Sequence, residues 1–388
     1  MDKIYIGIYG GVNSGKSSLI NRLSGQNTAI VSPERGTTTD PVKKLMELDG
    51  IGPAVLIDTA GVDDDTALAS SRVAKTLQTL DIIDMAVLVV SGGVMGEGDK
   101  KLISVFKKRN IPFLIVNNKS DRADFKKLEG LAETVVEFSA QNAPDVKPVL
   151  QALKELKPHT EKQILLDDKI SSGDIVVLVC PIDSAAPAGR LILPQVKAVR
   201  NILDNKAVSV VLQPGELASF LKLPIKVKLV VTDSQAFKEV SAIVPPEIPL
   251  TSFSILFARL KGNLPMYLKG TEALADLKDG DKVLILESCN HSAITCEDIG
   301  RVKLPALISK KSGRKLEFKI VPGLEPLPDD LSSYALAVQC GGCMVTKNQL
   351  KQRVAALAEA GVPVSNYGVM IACCTGILPR VTEIFKED

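Results

Sequence analysis

Residues 3–24 read KIYIGIYGGVNSGKSSLINRLS, and this stretch decides the fold. The run 3–9 is almost wholly apolar and rich in β-branched and aromatic side chains, so it reads as a short buried strand. It leads directly into Gly10-Gly11-Val12-Asn13-Ser14-Gly15-Lys16-Ser17, and a helix then runs to about residue 24. G-x-x-x-x-G-K-S between a strand and a helix is a P-loop. Its glycines let backbone N–H groups close around phosphate oxygens, and the helix N-terminus adds a favourable dipole. Lys16 is then placed to reach the β and γ phosphates, and Ser17 to ligate Mg²⁺. Gly10, Asn13, Ser14, Gly15 and Ser18 complete the candidate phosphate-binding set.

Working outward, Asp58-Thr59-Ala60-Gly61 follows an apolar strand at 54–57. Asp58 can hold Mg²⁺ through water, and the Gly61 N–H can meet the γ-phosphate. Asn118-Lys119-Ser120-Asp121 follows the strand 113–116. There the Asp121 carboxylate can accept two hydrogen bonds from the N1 and exocyclic amine of guanine. Adenine has no such donor pair, so the expected nucleotides are GTP and GDP. Ser139-Ala140, after the strand 135–138, closes over the base, and Thr38 in Gly36-Thr37-Thr38-Thr39-Asp40 is the second candidate Mg²⁺ ligand. A Thr-rich loop alone is only a loop; four such pieces at strand ends in this order make a nucleotide site.

These motifs resemble the GTPases of the Era and TrmE type. The resemblance implies that Asn13 helps bind K⁺ beside the phosphates, as in potassium-dependent members, although a plain loop residue is the alternative. Val62 follows Gly61, so the glutamine that orients water in Ras-like proteins is missing. Lys16, Thr38 and Asn13 are the candidate catalytic residues, and the expected enzyme is a slow GTP hydrolase stimulated by K⁺.

The remainder of the chain is also α/β. Strands expected at 175–180, 208–212 and 226–231 alternate with helices at 193–203 and 234–240. Further strands are expected at 282–287, 334–338 and 368–372, with a helix over 346–360 closed by Gly361 and Pro363. The expectation is three α/β domains with mainly parallel sheets: 1–163, a P-loop GTPase fold; 164–262, a middle domain; and 263–388. The length of 388 residues and 45% hydrophobic content suit packed cores. Lys+Arg 47 against Asp+Glu 45 offers no footprint for nucleic acid or an anionic membrane. The longest apolar runs are too short to span a bilayer, and no signal-type segment precedes the first strand, so a cytoplasmic protein is expected.

Seven cysteines are unevenly placed: Cys180 is alone mid-chain and six lie beyond residue 288. Clustered cysteines in a long cytosolic chain point to metal or redox chemistry. Cys289 ends one expected strand, and Cys340-Gly341-Gly342-Cys343 ends another; α/β folds place ligands at such carboxyl ends. Three thiolates with an uncertain fourth ligand suit an iron–sulfur cluster better than a closed zinc site. His291, Cys296 and Glu297 are candidates for the fourth position. A redox dithiol at Cys340 and Cys343, or a structural role, stays open. Cys180, Cys373 and Cys374 read as core, and His159 as a solvated helix end.

Cys289-x-His291 followed by Cys340-x-x-Cys343, behind a GTPase domain and a middle α/β domain, resembles the HydF family of iron-iron hydrogenase maturation GTPases. Asp298-Ile299-Gly300 and Asn366-Tyr367-Gly368 add to the likeness, which covers essentially the whole chain. The family pattern places a His directly before the second Cys pair, and Gln339 stands there, which puts a ligand role at that position in doubt. The resemblance implies a 4Fe–4S cluster on Cys289, Cys340 and Cys343, and a homodimer through the middle domain. It also implies partnership with radical-SAM maturases and the apo-hydrogenase, and delivery of a diiron precursor. The runner-up is an Era/TrmE-like GTPase acting on tRNA or ribosome assembly, and a redox-controlled GTPase is third. Asp63, Asp64 and Asp65 are a candidate relay from the nucleotide, against a plain solvated loop.

Overall fold

The computed structural model describes residues 3–25, 42–59, 79–80, 82–128, 134–157, 164–182, 191–288, 298–323, 325–342 and 345–386. Thr38, Gly61, Asp63, Asp64, Asp65, His159, Cys289, His291, Cys296, Glu297 and Cys343 lie outside the described residues. The chain divides into two compact units, Met1–Glu161 and Lys162–Asp388.

The first unit is built on strands β1 (Ile4–Tyr9), β2 (Val42–Leu48), β3 (Gly52–Asp58), β4 (Met85–Ser91), β5 (Phe113–Asn118) and β6 (Val135–Glu137). They form one sheet in the order β2-β3-β1-β4-β5-β6, and only the β2–β3 pairing is antiparallel. Alternate residues of β4 serve different cores. Val87 and Val89 pack with Leu19, Ile20 and Leu153, while Ala86, Leu88 and Val90 pack with Tyr9 and Phe106. A strand buried on both faces has to be apolar at every position, which is why these runs are continuous. The carboxyl ends of β1, β3 and β5 lie on one edge of the sheet and carry the three motifs.

The second unit holds two four-stranded parallel sheets. One runs β10-β9-β7-β8, with β7 (Ile175–Val179), β8 (Val208–Leu212), β9 (Val227–Thr232) and β10 (Leu250–Ser252). The other runs β12-β11-β13-β14, with β11 (Lys282–Leu286), β12 (Glu317–Val321), β13 (Tyr334–Gln339) and β14 (Val364–Asn366). One continuous core reaches from Leu165 to Phe385 and takes in both sheets. Cys180 is buried in it, and desolvation pushes its thiol up to about 12, helped by nearby Asp233.

One expected strand is a helix. Residues 368–372 belong to the helix Tyr367–Thr375, and the strand before it, β14, is only Val364–Asn366. The Asn366 side chain caps the helix by accepting from the Gly368 N–H at 3.0 Å. A run buried on every side carries no period, so strand and helix look alike in sequence. Cys373 and Cys374 are therefore half-buried helix residues; burial and the Cys373 neighbour push Cys374 up to about 12. No helix of the described residues is long and apolar enough to cross a membrane.

Candidate functional site

The phosphate loop is shaped by glycines that nothing else could replace. Gly10 has φ +137°, and a Cβ there would lie 2.2 Å from the Val89 carbonyl oxygen. Gly15 has φ +101°, and its Cβ would lie 2.0 Å from Asn118 Nδ2. Lys16 is buried, and its Nζ donates to the carbonyls of Gly10 at 2.9 Å and Gly11 at 2.8 Å. Phosphate oxygens are charged acceptors and compete well against these neutral carbonyls for the ammonium. Helix Lys16–Ser24 begins at Gly15 with no side-chain cap, so its first N–H groups suit an anion.

The base-binding loop is tied to the phosphate loop through Asn118. Its Nδ2 donates to the Ser14 carbonyl at 2.8 Å, and its Oδ1 accepts from the Ala140 N–H at 2.9 Å. Lys119, with φ +61°, donates from Nζ to the Asn13 carbonyl at 2.8 Å. Asn13 itself has φ +59°, in the left-handed region that Asn tolerates well. Asp121 is exposed and accepts from Asn142 Nδ2 at 2.8 Å. Hydrogen bonding from Ser139, and also from Asn142, holds its carboxyl below the usual carboxylate range. The carboxylate is thus kept charged. Asn142 was not among the expected residues; its place three residues after Ser139 is the only local sign of it.

The metal side joins Ser17 and Asp58. Ser17 Oγ donates to Asp58 Oδ2 at 2.9 Å, while Asp58 Oδ1 and Ser14 Oγ are buried without a hydrogen-bond partner. A buried unpaired oxygen costs about 1–3 kcal/mol. A hydrated Mg²⁺ between Ser17 and Asp58 would relieve that cost, so the donor set fits the ion. Thr59 Oγ1 donates to the Ile8 carbonyl at 2.7 Å and holds the end of β3 against β1.

A second constellation lies at the carboxyl ends of β11 and β13. The Cys340 N–H donates to the Leu286 carbonyl at 2.8 Å, one step beyond the last paired residues, Leu286 and Gln339. The chain segments that carry Cys289 and Cys340 thus leave neighbouring strands. Gln339 is wholly buried; its Nε2 donates to Cys340 O at 3.1 Å, Ser288 Oγ at 3.2 Å and Leu286 O at 3.4 Å. The amide nitrogen therefore stitches the two strand ends together, and Oε1 is buried without a partner. Glu287, directly after β11, accepts from Arg301 NH2 at 2.9 Å and from Nε at 3.1 and 3.2 Å. That pairing holds Arg301 above the usual guanidinium range. Arg353 donates to the carbonyls of Glu287 and Glu325, each at 3.0 Å. Burial pulls Arg353 below its usual range, and the Cys340 sulfur opposes that pull. Among the described residues no group of three or more His, Cys, Asp or Glu could hold a metal; of the expected cluster ligands only Cys340 is described. Glu287, Arg301 and Arg353 carry no motif and were not expected.

Three family models match the chain. Residues 5–119 match the model of the 50S ribosome-binding GTPase, 165–262 the hydrogen maturase F dimerization domain, and 265–384 the hydrogen maturase F tetramerization domain. GTPase Der of Campylobacter hominis is 35% identical over 169 residues, 43% of this chain and 35% of that protein. The tRNA modification GTPase MnmE of a Synechococcus species is 37% identical over 152 residues, 39% of this chain and 33% of that protein. The chain thus spans about a third of the length of the curated relatives it matches. Among solved structures, the G domain of the T. maritima FeoB iron transporter is 18% identical, with 40% of this chain and 99% of that one covered and a TM-score of 0.33.

Proposed function

Because the chain belongs to the hydrogen maturase F family, we propose that it is a GTP-hydrolysing scaffold that carries an iron–sulfur cluster and delivers the diiron precursor to the apo-hydrogenase. The first unit is a P-loop GTPase domain that binds GTP, GDP and Mg²⁺. The observation that carries the reading is that the carboxyl ends of β11 and β13 are neighbours, with Cys340 N–H bonded to the Leu286 carbonyl, in a chain that also holds a P-loop.

At the nucleotide, Lys16 exchanges the Gly10 and Gly11 carbonyls for β and γ phosphate oxygens. Ser17 and Thr38 ligate Mg²⁺, with Asp58 behind them, and Asn13 holds K⁺. These cations supply positive charge where the leaving phosphate becomes more negative, the task an arginine finger performs elsewhere. Asp121 selects guanine, Lys119 and Asn118 hold the loops, and Ser139 and Ala140 close over the base. In the second unit, Cys289, Cys340 and Cys343 hold a 4Fe–4S cluster, with His291 or Cys296 as the fourth ligand. The guanidinium of Arg353, close enough to act on the Cys340 sulfur, suits a site that takes an anionic metal–sulfur group.

Self-association through the middle sheet fits its edge. Strand β8 exposes Val208 and Val211, and Leu203 stands exposed on the preceding helix Leu193–Asp204. An apolar edge strand is a template for pairing with another chain. Radical-SAM maturases and the apo-hydrogenase are the proposed partners. The likeness to Der and MnmE leaves more than half of the chain uncovered, so a role on tRNA or the ribosome is the weaker reading. GTP hydrolysis by the purified protein tests the enzymatic part. Turnover is expected to be slow and faster in K⁺ than in Na⁺; equal rates would remove K⁺ from the site.

A further inference from the structure

Lys261 is the last residue of the helix Phe253–Lys261, whose residues are mostly apolar and buried. Its own side chain is buried as well, at 5% exposure. A buried ammonium is costly unless its donors are well used. Nζ donates to the carbonyl of Gly342 at 2.7 Å and to that of Val345 at 2.9 Å, partners 81 and 84 residues away in the chain. Gly342 and Val345 bracket residue 343, the second cysteine of the C-x-x-C pair. The turn has little slack: Gly342 has φ +70°, and a Cβ there would lie 2.6 Å from Leu350 Cδ1.

We propose that Lys261 is a positioning residue for the chain that follows β13: its ammonium fixes the carbonyls of Gly342 and Val345, which flank position 343 in the sequence, and supplies a fixed positive charge there. This rests on reading the turn as a metal–thiolate site. Carbonyls held by an ammonium cannot rotate toward the metal, and a fixed cation offsets charge that thiolates bring together. The same helix end also grips the start of the second unit. Arg259 donates to Asp168 at 2.8 and 2.6 Å and to the Leu165 carbonyl at 3.4 Å. The helix that sets the turn is itself held in place by that contact.

The test uses the full chain, as wild type, Lys261→Met and Lys261→Arg. Without metal, amide hydrogen exchange over 340–346 should be about tenfold or more faster in the Met variant, as expected for loss of charge-assisted hydrogen bonds. Arg should restore most of the protection, and exchange in β4 should not change. With Co²⁺ as the probe, the thiolate-to-metal absorption band of the wild type should need at least about tenfold more Co²⁺ in the Met variant and near wild-type Co²⁺ in the Arg variant. Wild-type exchange over 340–346 in the Met variant would overturn the proposal. If the wild type gave no thiolate–cobalt band, the metal reading would fail, and the metal-free exchange would still decide whether Lys261 positions the turn. Should the Met variant fail to fold, Lys261→Gln, which keeps a donor without the charge, is read in the same two assays.

Discussion

Asn118 Nδ2 lies 2.8 Å from the Ser14 carbonyl oxygen, a hydrogen bond that spans 104 residues and locks the base-binding loop to the phosphate loop. The same side chain receives the Ala140 N–H, so three loops meet on one buried amide. Asn118→Ala leaves the Ser14 carbonyl and the Ala140 N–H unpaired. We expect a loss of about 2–3 kcal/mol in the stability of the first unit, with weaker GTP binding. Denaturant titration and calorimetric GTP binding check it; unchanged stability would show that water replaces the amide.

Asp121→Asn replaces a double acceptor by a group with one acceptor and one donor. GTP affinity should fall by on the order of a hundredfold, while xanthosine triphosphate, whose C2 oxygen accepts, should bind better than to the wild type. The Asp121 carboxyl lies below its ordinary range in the folded protein. Its charged form is therefore present at neutral pH and is lost only as pH falls through that lowered value. Guanine recognition by this group should stay flat from about pH 8 to pH 5. Fluorescent nucleotide titrations at several pH values measure both effects.

Ser17→Ala removes the hydroxyl that donates to Asp58 and would ligate Mg²⁺. Mg²⁺ should then strengthen GTP binding by at least about tenfold less than it does in the wild type. Binding of GDP without Mg²⁺ should be close to wild type. Titrations with and without Mg²⁺ separate these outcomes, and an unchanged Mg²⁺ effect would remove Ser17 from the ion.

Val211→Lys puts a charge on the exposed edge strand β8, the device by which edge strands are kept from pairing. Self-association should weaken, with light scattering after size exclusion showing a smaller species. An unchanged mass would move the self-association surface elsewhere.

The nucleotide site was largely legible because its chemistry is local. Gly10 and Gly15 take positive φ within the motif itself, Asp58 and Asn118 are the last residues of their strands, and Asp121 follows Asn118 by three residues. What could not be read depends on contacts far apart in sequence. Lys261 finds Gly342 only when the second unit folds, and Glu287 finds Arg301 across the segment 289–297. Residues 368–372 look like a strand in sequence because the buried Val369, Met370, Ile371 and Ala372 leave no polar face to show the period of the helix Tyr367–Thr375. Strand β12 gives only a faint sign in sequence: Phe318 and Ile320 alternate with Glu317 and Lys319, but an edge strand of five residues is a short signal.

The central claim is that this GTPase carries an iron–sulfur cluster at the ends of β11 and β13. Anaerobic reconstitution with iron and sulfide, followed by EPR of the reduced protein, tests it most directly. The wild type is expected to show an iron–sulfur signal that Cys289→Ala, Cys340→Ala and Cys343→Ala each abolish or alter. A wild type without such a signal, or a signal untouched by all three substitutions, would contradict it.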